Sequence, residues 1–198
     1  MNDSEAILQR LMPNKKRRLH KGDHLFRQGD HVENIHVVCQ GMVKLIRHSI
    51  DGDDIVLQVA VQNDILAEAS LFSDMYHCSA VVHSQTAELS CFDRNSLLAA
   101  LKGDPDIMME IVALFAHRIR KLRAFLEIKN IRSAKQRMYS YFQLEANAKH
   151  EVHLQLTHKD MAYQLGLAHE TFYRNLKCLE KEGKIIRKVS SIQLIQSV

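Results

Sequence analysis

The stretch LTHKDMAYQLGLAHETFYRNLKCLEKEGKIIRKVSSIQLI, residues 156–195, decides the fold of the C-terminal part of this chain. Thr157 stands three residues before Asp160, a variant of the capping box that opens a helix. Met161, Ala162 and Leu165 give that helix an apolar side, and Gly166 breaks it. A second helix is predicted from near Ala168 to Gly183, with Phe172, Leu176 and Leu179 at i, i+4 and i+7 turned inward. Ile185-Ile186 and then Ile192, Leu194 and Ile195 form two short strands about Ser190-Ser191. Helix, glycine turn, helix and hairpin make a winged helix-turn-helix.

On the second helix His169, Glu170, Tyr173 and Arg174 lie at i, i+1, i+4 and i+5, together opposite the apolar side. The first turns of such a helix are where base edges are reached in the major groove. Arginine forks onto guanine O6/N7, and a carboxylate accepts from cytosine N4. A helix-stabilising Glu170–Arg174 pair at i, i+4 is compatible with that role, since it pre-aims the arginine. A carboxylate aimed at phosphate is unfavourable, so Glu170 favours base reading. Lys177, farther along, and Thr157, at the start of the first helix, complete the candidate DNA-binding set.

Working outward, Asp104-Pro105 opens a long helix, with proline at a permitted first-turn position. Ile107, Ile111, Leu114, Leu122, Phe125 and Leu126, with Ile119 beside them, form one apolar stripe, which we read as a parallel dimer seam, with packing against its own barrel as the alternative. A helix of about 25 residues is ~38 Å long. From Lys21 to about Phe92 the pattern is β: KGDHLFRQGD repeats Gly-Asp across a short apolar core. IHVVCQGMVKLI alternates about Gly41, and SIDGDDIVLQVAV turns at Asp51-Gly52. Short strands with Gly and Asp turns predict a small barrel or jelly roll. The fold class is α+β: a sensor barrel over 1–104, a dimerisation helix over 105–130 and a winged domain over 131–198.

Composition agrees. Hydrophobic content of 46% and charged content of 25% are ordinary globular values. The longest apolar runs, such as IVALFA (111–116), are far too short to span a bilayer. The N-terminal MNDSEAILQRL lacks a basic-then-apolar export pattern, so a cytoplasmic location without membrane partners is expected. Cys39, Cys78, Cys91 and Cys178 are scattered and include no CxxC, as for separate thiols rather than a disulfide framework or zinc site. Residues 131–198 hold eleven Lys/Arg against six Asp/Glu, whereas the rest of the chain carries a net charge of −1. A basic segment on a near-neutral one fits a polyanion-binding module joined to something else. Nothing in the chain presents a nucleophile–base pair or convergent carboxylates, so no enzyme is expected.

KGDHLFRQGD, the GMVKLI strand, AEASLF followed by CSA, the long helix and LTHKDMAYQLGLAHETFYRNLKCLEKEG together resemble the cyclic-AMP receptor protein / fumarate-nitrate regulator (CRP/FNR) family of bacterial transcription factors. The resemblance covers nearly the whole chain. It implies a homodimer, a cyclic-nucleotide-binding-like barrel, a winged helix domain on double-stranded DNA, and RNA polymerase as a further partner, with activation the expected mode. It also implies that Glu170 and Arg174 read the G·C pair of a TGA-containing half-site. His169 stands where the cyclic-AMP branch carries arginine, which bears on the outer base. Ala168 replaces the family's Thr/Ser cap, removing a contact of ~1 kcal/mol.

In the cyclic-AMP-binding members the segment aligned with AEASLFSDMYHCSA begins Gly-Glu and ends Arg-Ser-Ala. Here Glu68 and Ser79 remain, Ala67 replaces glycine, and Cys78 replaces the arginine. A thiol does not substitute for a charge-assisted phosphate pair. Leu122 and Arg123 stand where a hydroxyl pair meets the adenine, although Arg123 supplies a charge. Cyclic AMP is therefore not the expected effector. The iron–sulfur branch needs an N-terminal cysteine cluster, and no cysteine precedes Cys39. YHCSAVVH (76–83) leaves open a haem or metal on His77, Cys78 and His83, a reactive Cys78 thiol, another small molecule, or no effector. A gas or redox sensor of the same family, or a signalling protein whose basic domain binds protein, are the alternative functions. On a regular strand His77 and His83 share one face and Cys78 the other, which separates the three candidate ligands.

Overall fold

The computed structural model describes residues 13–48, 54–154 and 156–195. The N-terminal segment and the Asp51-Gly52 turn lie outside them. The chain divides into two compact units, Met1–Ala116 and His117–Val198.

The first unit is built on eight strands: β1 (Lys15–His20), β2 (His24–Phe26), β3 (Asn34–Gln40), β4 (Val43–His48), β5 (Asp54–Ala60), β6 (Ile65–Leu66), β7 (Ser79–Val82) and β8 (Thr86–Asp93). They form two four-stranded sheets, ordered β1-β8-β3-β6 and β2-β7-β4-β5, with every pairing antiparallel. The expected jelly roll is thus present, opening six residues earlier than the expected β pattern, because KKRRL pairs with β8 as a basic edge strand. Val38, Val43, Ala60, Leu66, Ala80 and Leu89 are the deepest of its core.

The Gly-Asp repeat has a mechanical cause. Asp23 Oδ2 accepts the His20 N–H at 2.8 Å, and Asp30 Oδ2 accepts the Arg27 N–H at 2.9 Å. Each closes a tight turn whose glycine sits at φ near +88°. Asp64 closes a third on Val61. Gly41 is required for space as well: a Cβ there would lie 2.4 Å from the Thr86 carbonyl.

Helix α1 (Arg94–Gly103) is capped by Asp93, whose side chain accepts from the Ser96 N–H. Helix α2 (Pro105–Lys129) follows, with Asp104 Oδ1 accepting from Asp106 and Ile107 N–H. The single apolar stripe expected on α2 resolves into two. Ile107, Ile111 and Leu114 are buried in the barrel core, while Met109, Val112, Ile119, Leu122 and Leu126 are exposed. Ile111 and Leu122, read from sequence as partners in one seam, stand at 7% and 63% exposure. At 100° per residue, 107, 111 and 114 cluster apart from 109, 112, 119 and 126, whereas Leu122 shares the angular sector of Ile111 and is exposed because it lies past Ala116, where the barrel unit ends. The division into units falls inside α2, whose later residues Phe125 and Ile128 join the second core.

The second unit holds α3 (Ala134–Glu145), β9 (Glu151–His153), α4 (His158–Gln164), α5 (His169–Lys181), β10 (Ile185–Arg187) and β11 (Ser191–Leu194). Its sheet runs β10-β11-β9, so a strand upstream of the two helices completes the expected hairpin. Phe142, Phe172, Leu165, Leu176 and Ile192 fill the core. No helix among the described residues is long and apolar enough to cross a membrane.

Candidate nucleic-acid interface

Thr157 caps α4 as read from the sequence: its Oγ1 accepts the Asp160 N–H at 3.1 Å and donates to Asp160 Oδ2 at 2.8 Å. Its hydroxyl is thereby engaged within its own helix. Gly166, at φ +63°, makes the turn, and Arg137 donates to the Leu165 carbonyl at 3.0 Å to hold α3 against it. On α5, Phe172, Leu176 and Leu179 are fully buried, which sets the helix's rotation. Burial of each is worth ~1.5–3 kcal/mol. Ala168, at the N-cap, makes no side-chain cap bond.

With that rotation, His169, Glu170, Arg174 and Lys177 are exposed and Tyr173 is half-buried. The Glu170–Arg174 pair does not form. Glu170, Arg174 and Lys177 make no ion pair or side-chain hydrogen bond among the described residues, and stand open to a partner. Glu170 is also favourably placed in the positive first turn. The hairpin behind α5 is braced: Arg187 pairs with Glu180 at 2.6 Å, and Glu151 takes Lys188 at 2.9 Å and Ser191 Oγ at 2.6 Å. The Lys188 and Ser191 bonds hold the Glu151 carboxyl down to about 2. One residue of this face escaped the sequence reading. His158, at the start of α4, places Nδ1 3.1 Å from the Tyr173 hydroxyl.

The barrel segment behaves differently. Ala67 keeps a left-handed backbone, φ +68°, at the head of a 3-10 turn over Glu68–Ser70, where glycine is less strained. Strand β7 starts at Ser79, so His77 and Cys78 precede it and His83 follows it. Ser79 is buried and its Oγ accepts the Gln28 N–H at 3.0 Å. His77 is exposed, with Nε2 3.0 Å from Ser73 Oγ. Burial, reinforced by the Glu68 charge, pushes the half-buried Cys78 thiol up, against a smaller opposing pull from Arg47. That is the reverse of an activated thiol. No group of three or more His, Cys, Asp or Glu gathers as a metal site among the described residues. Leu122 and Arg123 lie exposed on the second half of α2. All four cysteines are free thiols.

The cyclic nucleotide-binding domain family matches residues 16–104, and the Crp-like helix-turn-helix family matches residues 136–196. The chain belongs to the CRP/FNR family. It is similar to a cyclic AMP receptor protein of Thermus thermophilus, 27% identical across 86% of this chain and 79% of that protein. An anaerobic regulatory protein of Bacillus subtilis is 25% identical across 86% and 75%. The fold matches FixK2 from Bradyrhizobium japonicum with a TM-score of 0.78 at 19% identity, covering 94% of each chain. This family member is a DNA-binding transcription regulator and not an enzyme.

Proposed function

We propose that the protein is a homodimeric, cytoplasmic regulator that reads a TGA-containing palindrome with α5 and responds to something other than cyclic AMP. The carrying observation is that Glu170 and Arg174 stand exposed on the first turns of α5, unpaired among the described residues and opposite a fully buried Phe172. Arg174 is free to fork onto guanine and Glu170 to accept from cytosine. His169 and Tyr173 flank them, and Lys177 lies nearer the backbone. RNA polymerase is the expected further partner.

The exposed stripe of α2 supports the dimer. Met109, Val112, Ala116, Ile119 and Leu126 step by three, four, three and seven, the repeat of a coiled-coil seam, with Leu122 beside it and Arg123 at the remaining position. The effector reading rests on Cys78, a neutral half-buried thiol where a cyclic phosphate needs a cation, and on Ser79, whose hydroxyl already serves Gln28. Selection from random duplexes tests the DNA reading: a two-fold TGA/TCA site with half-site centres ~10–11 base pairs apart is expected. Recovery of a palindrome lacking TGA would overturn it. Calorimetry showing micromolar cyclic AMP binding would overturn the effector reading.

A further inference from the structure

Tyr173 is braced on both sides. The His169 ring meets it edge-on at 4.7 Å between centroids and the His158 ring at 5.2 Å, while His158 Nδ1 holds its hydroxyl at 3.1 Å. Neither histidine acts as a core residue here: His169 stands at the exposed start of α5, and His158 comes from α4. His158 also leans on Phe172, at 5.7 Å, so its position is tied to the anchor of the reading helix. The tyrosine therefore has one orientation, set by two helices, beside Arg174.

We propose that His158 fixes the hydrogen-bonding polarity of Tyr173, making it a specificity-determining residue that accepts from an adenine or cytosine amine flanking the TGA core. This rests on the DNA-reading assignment of α5. In a phenol–imidazole pair the phenol is the better donor and the neutral imidazole nitrogen the better acceptor, so the proton of Tyr173 points at His158 Nδ1. The tyrosine oxygen then offers only lone pairs outward. In the major groove adenine N6 and cytosine N4 donate, whereas guanine O6/N7 and thymine O4 only accept. A base of the second kind on the facing strand meets an acceptor with an acceptor.

The groups around His158 keep it neutral. Burial, then the Arg187 guanidinium on β10 and His169 on α5, push its pKa below the ordinary imidazole value. Arg187 is itself paired with Glu180 of α5, and Lys159 and Asp160 follow His158 on α4.

The test is selection from random duplexes with the full-length protein and two variants, Tyr173→Phe and His158→Phe, both of which keep the ring packing. The wild type should return a TGA palindrome with one flanking position biased about fivefold toward adenine or cytosine, the worth of one net hydrogen bond. Tyr173→Phe should keep TGA and lose that bias. His158→Phe frees the hydroxyl to donate, so guanine and thymine should enter the same position. A flanking bias that survives Tyr173→Phe, or its absence in the wild type, overturns the proposal while leaving α5 as the reader. A wild-type site without TGA overturns the assignment of α5, and this inference with it.

Discussion

On α5 the charged side chains project from a helix whose opposite face is locked in the core, and Glu170, Arg174 and Lys177 are left without partners among the described residues. In the barrel segment over 67–83 the polar groups point back into their own structure: Ser79 serves Gln28, His77 faces Ser73, and the Cys78 thiol is held protonated. A site ready for a macromolecule keeps its hydrogen-bonding capacity unspent on a rigid support. A segment that has spent that capacity internally offers little to a small polar ligand. The two regions therefore differ in kind, although both contain His, Glu and a hydroxyl.

The comparison breaks most visibly where the support is removed. Phe172→Ala should destabilise the winged unit by ~3–5 kcal/mol and abolish DNA binding, because the cavity sits directly behind the reading face. Urea melts of the full chain check this. Paired substitutions on α2 sharpen the split of its two stripes. Ile111→Asp should unfold the barrel, whereas Leu122→Asp should leave the melt intact and give monomers by sedimentation. A dimeric Leu122→Asp variant would place the seam elsewhere.

Smaller effects follow at the reading face itself. Arg174→Ala should cost ~1–3 kcal/mol per half-site and relax preference at the guanine. Lys177→Ala should weaken all sequences alike and lower the salt slope by about one unit. In the barrel, burial holds the His36 imidazole down to about 3, against Cys91 Sγ at 3.3 Å. The unfolded chain takes up a proton below ~6.5 that the folded one refuses, so this stability is present above that pH and drains as pH falls toward about 3. The loss approaches ~1.4 kcal/mol per pH unit, and His36→Gln should flatten it in a pH series of thermal melts. Smallest of all, Cys78→Ser should leave any peroxide response of DNA binding unchanged, since a protonated thiol is a poor nucleophile.

Much of the fold was legible because its signals are local. The capping pair Thr157–Asp160, the break at Gly166 and the inward Phe172, Leu176 and Leu179 each depend on neighbours within one or two turns. The Gly-Asp turns did too, each closed by an aspartate reaching back three residues. For the same reason the helical face carrying His169, Glu170, Tyr173 and Arg174 follows from spacing alone once the apolar side is known. Strand β1 was not legible, because KKRRLH carries too few apolar residues and owes its pairing to β8, far along the chain.

The amino-acid sequence by itself determined the order of elements, the turns and the outward set on α5, since these follow from periodicity and backbone geometry within a few residues. Tertiary structure alone decided which of two stripes on α2 is spent on the barrel core, because both have helical spacing and only the burial of Ile107, Ile111 and Leu114 in that core tells them apart. It alone brought His158 of α4 to Tyr173 of α5, fifteen residues away, through the turn at Gly166. It also turned Cys78 from a candidate reactive thiol into a protonated one, because desolvation belongs to the surroundings of a residue and not to its neighbours in sequence.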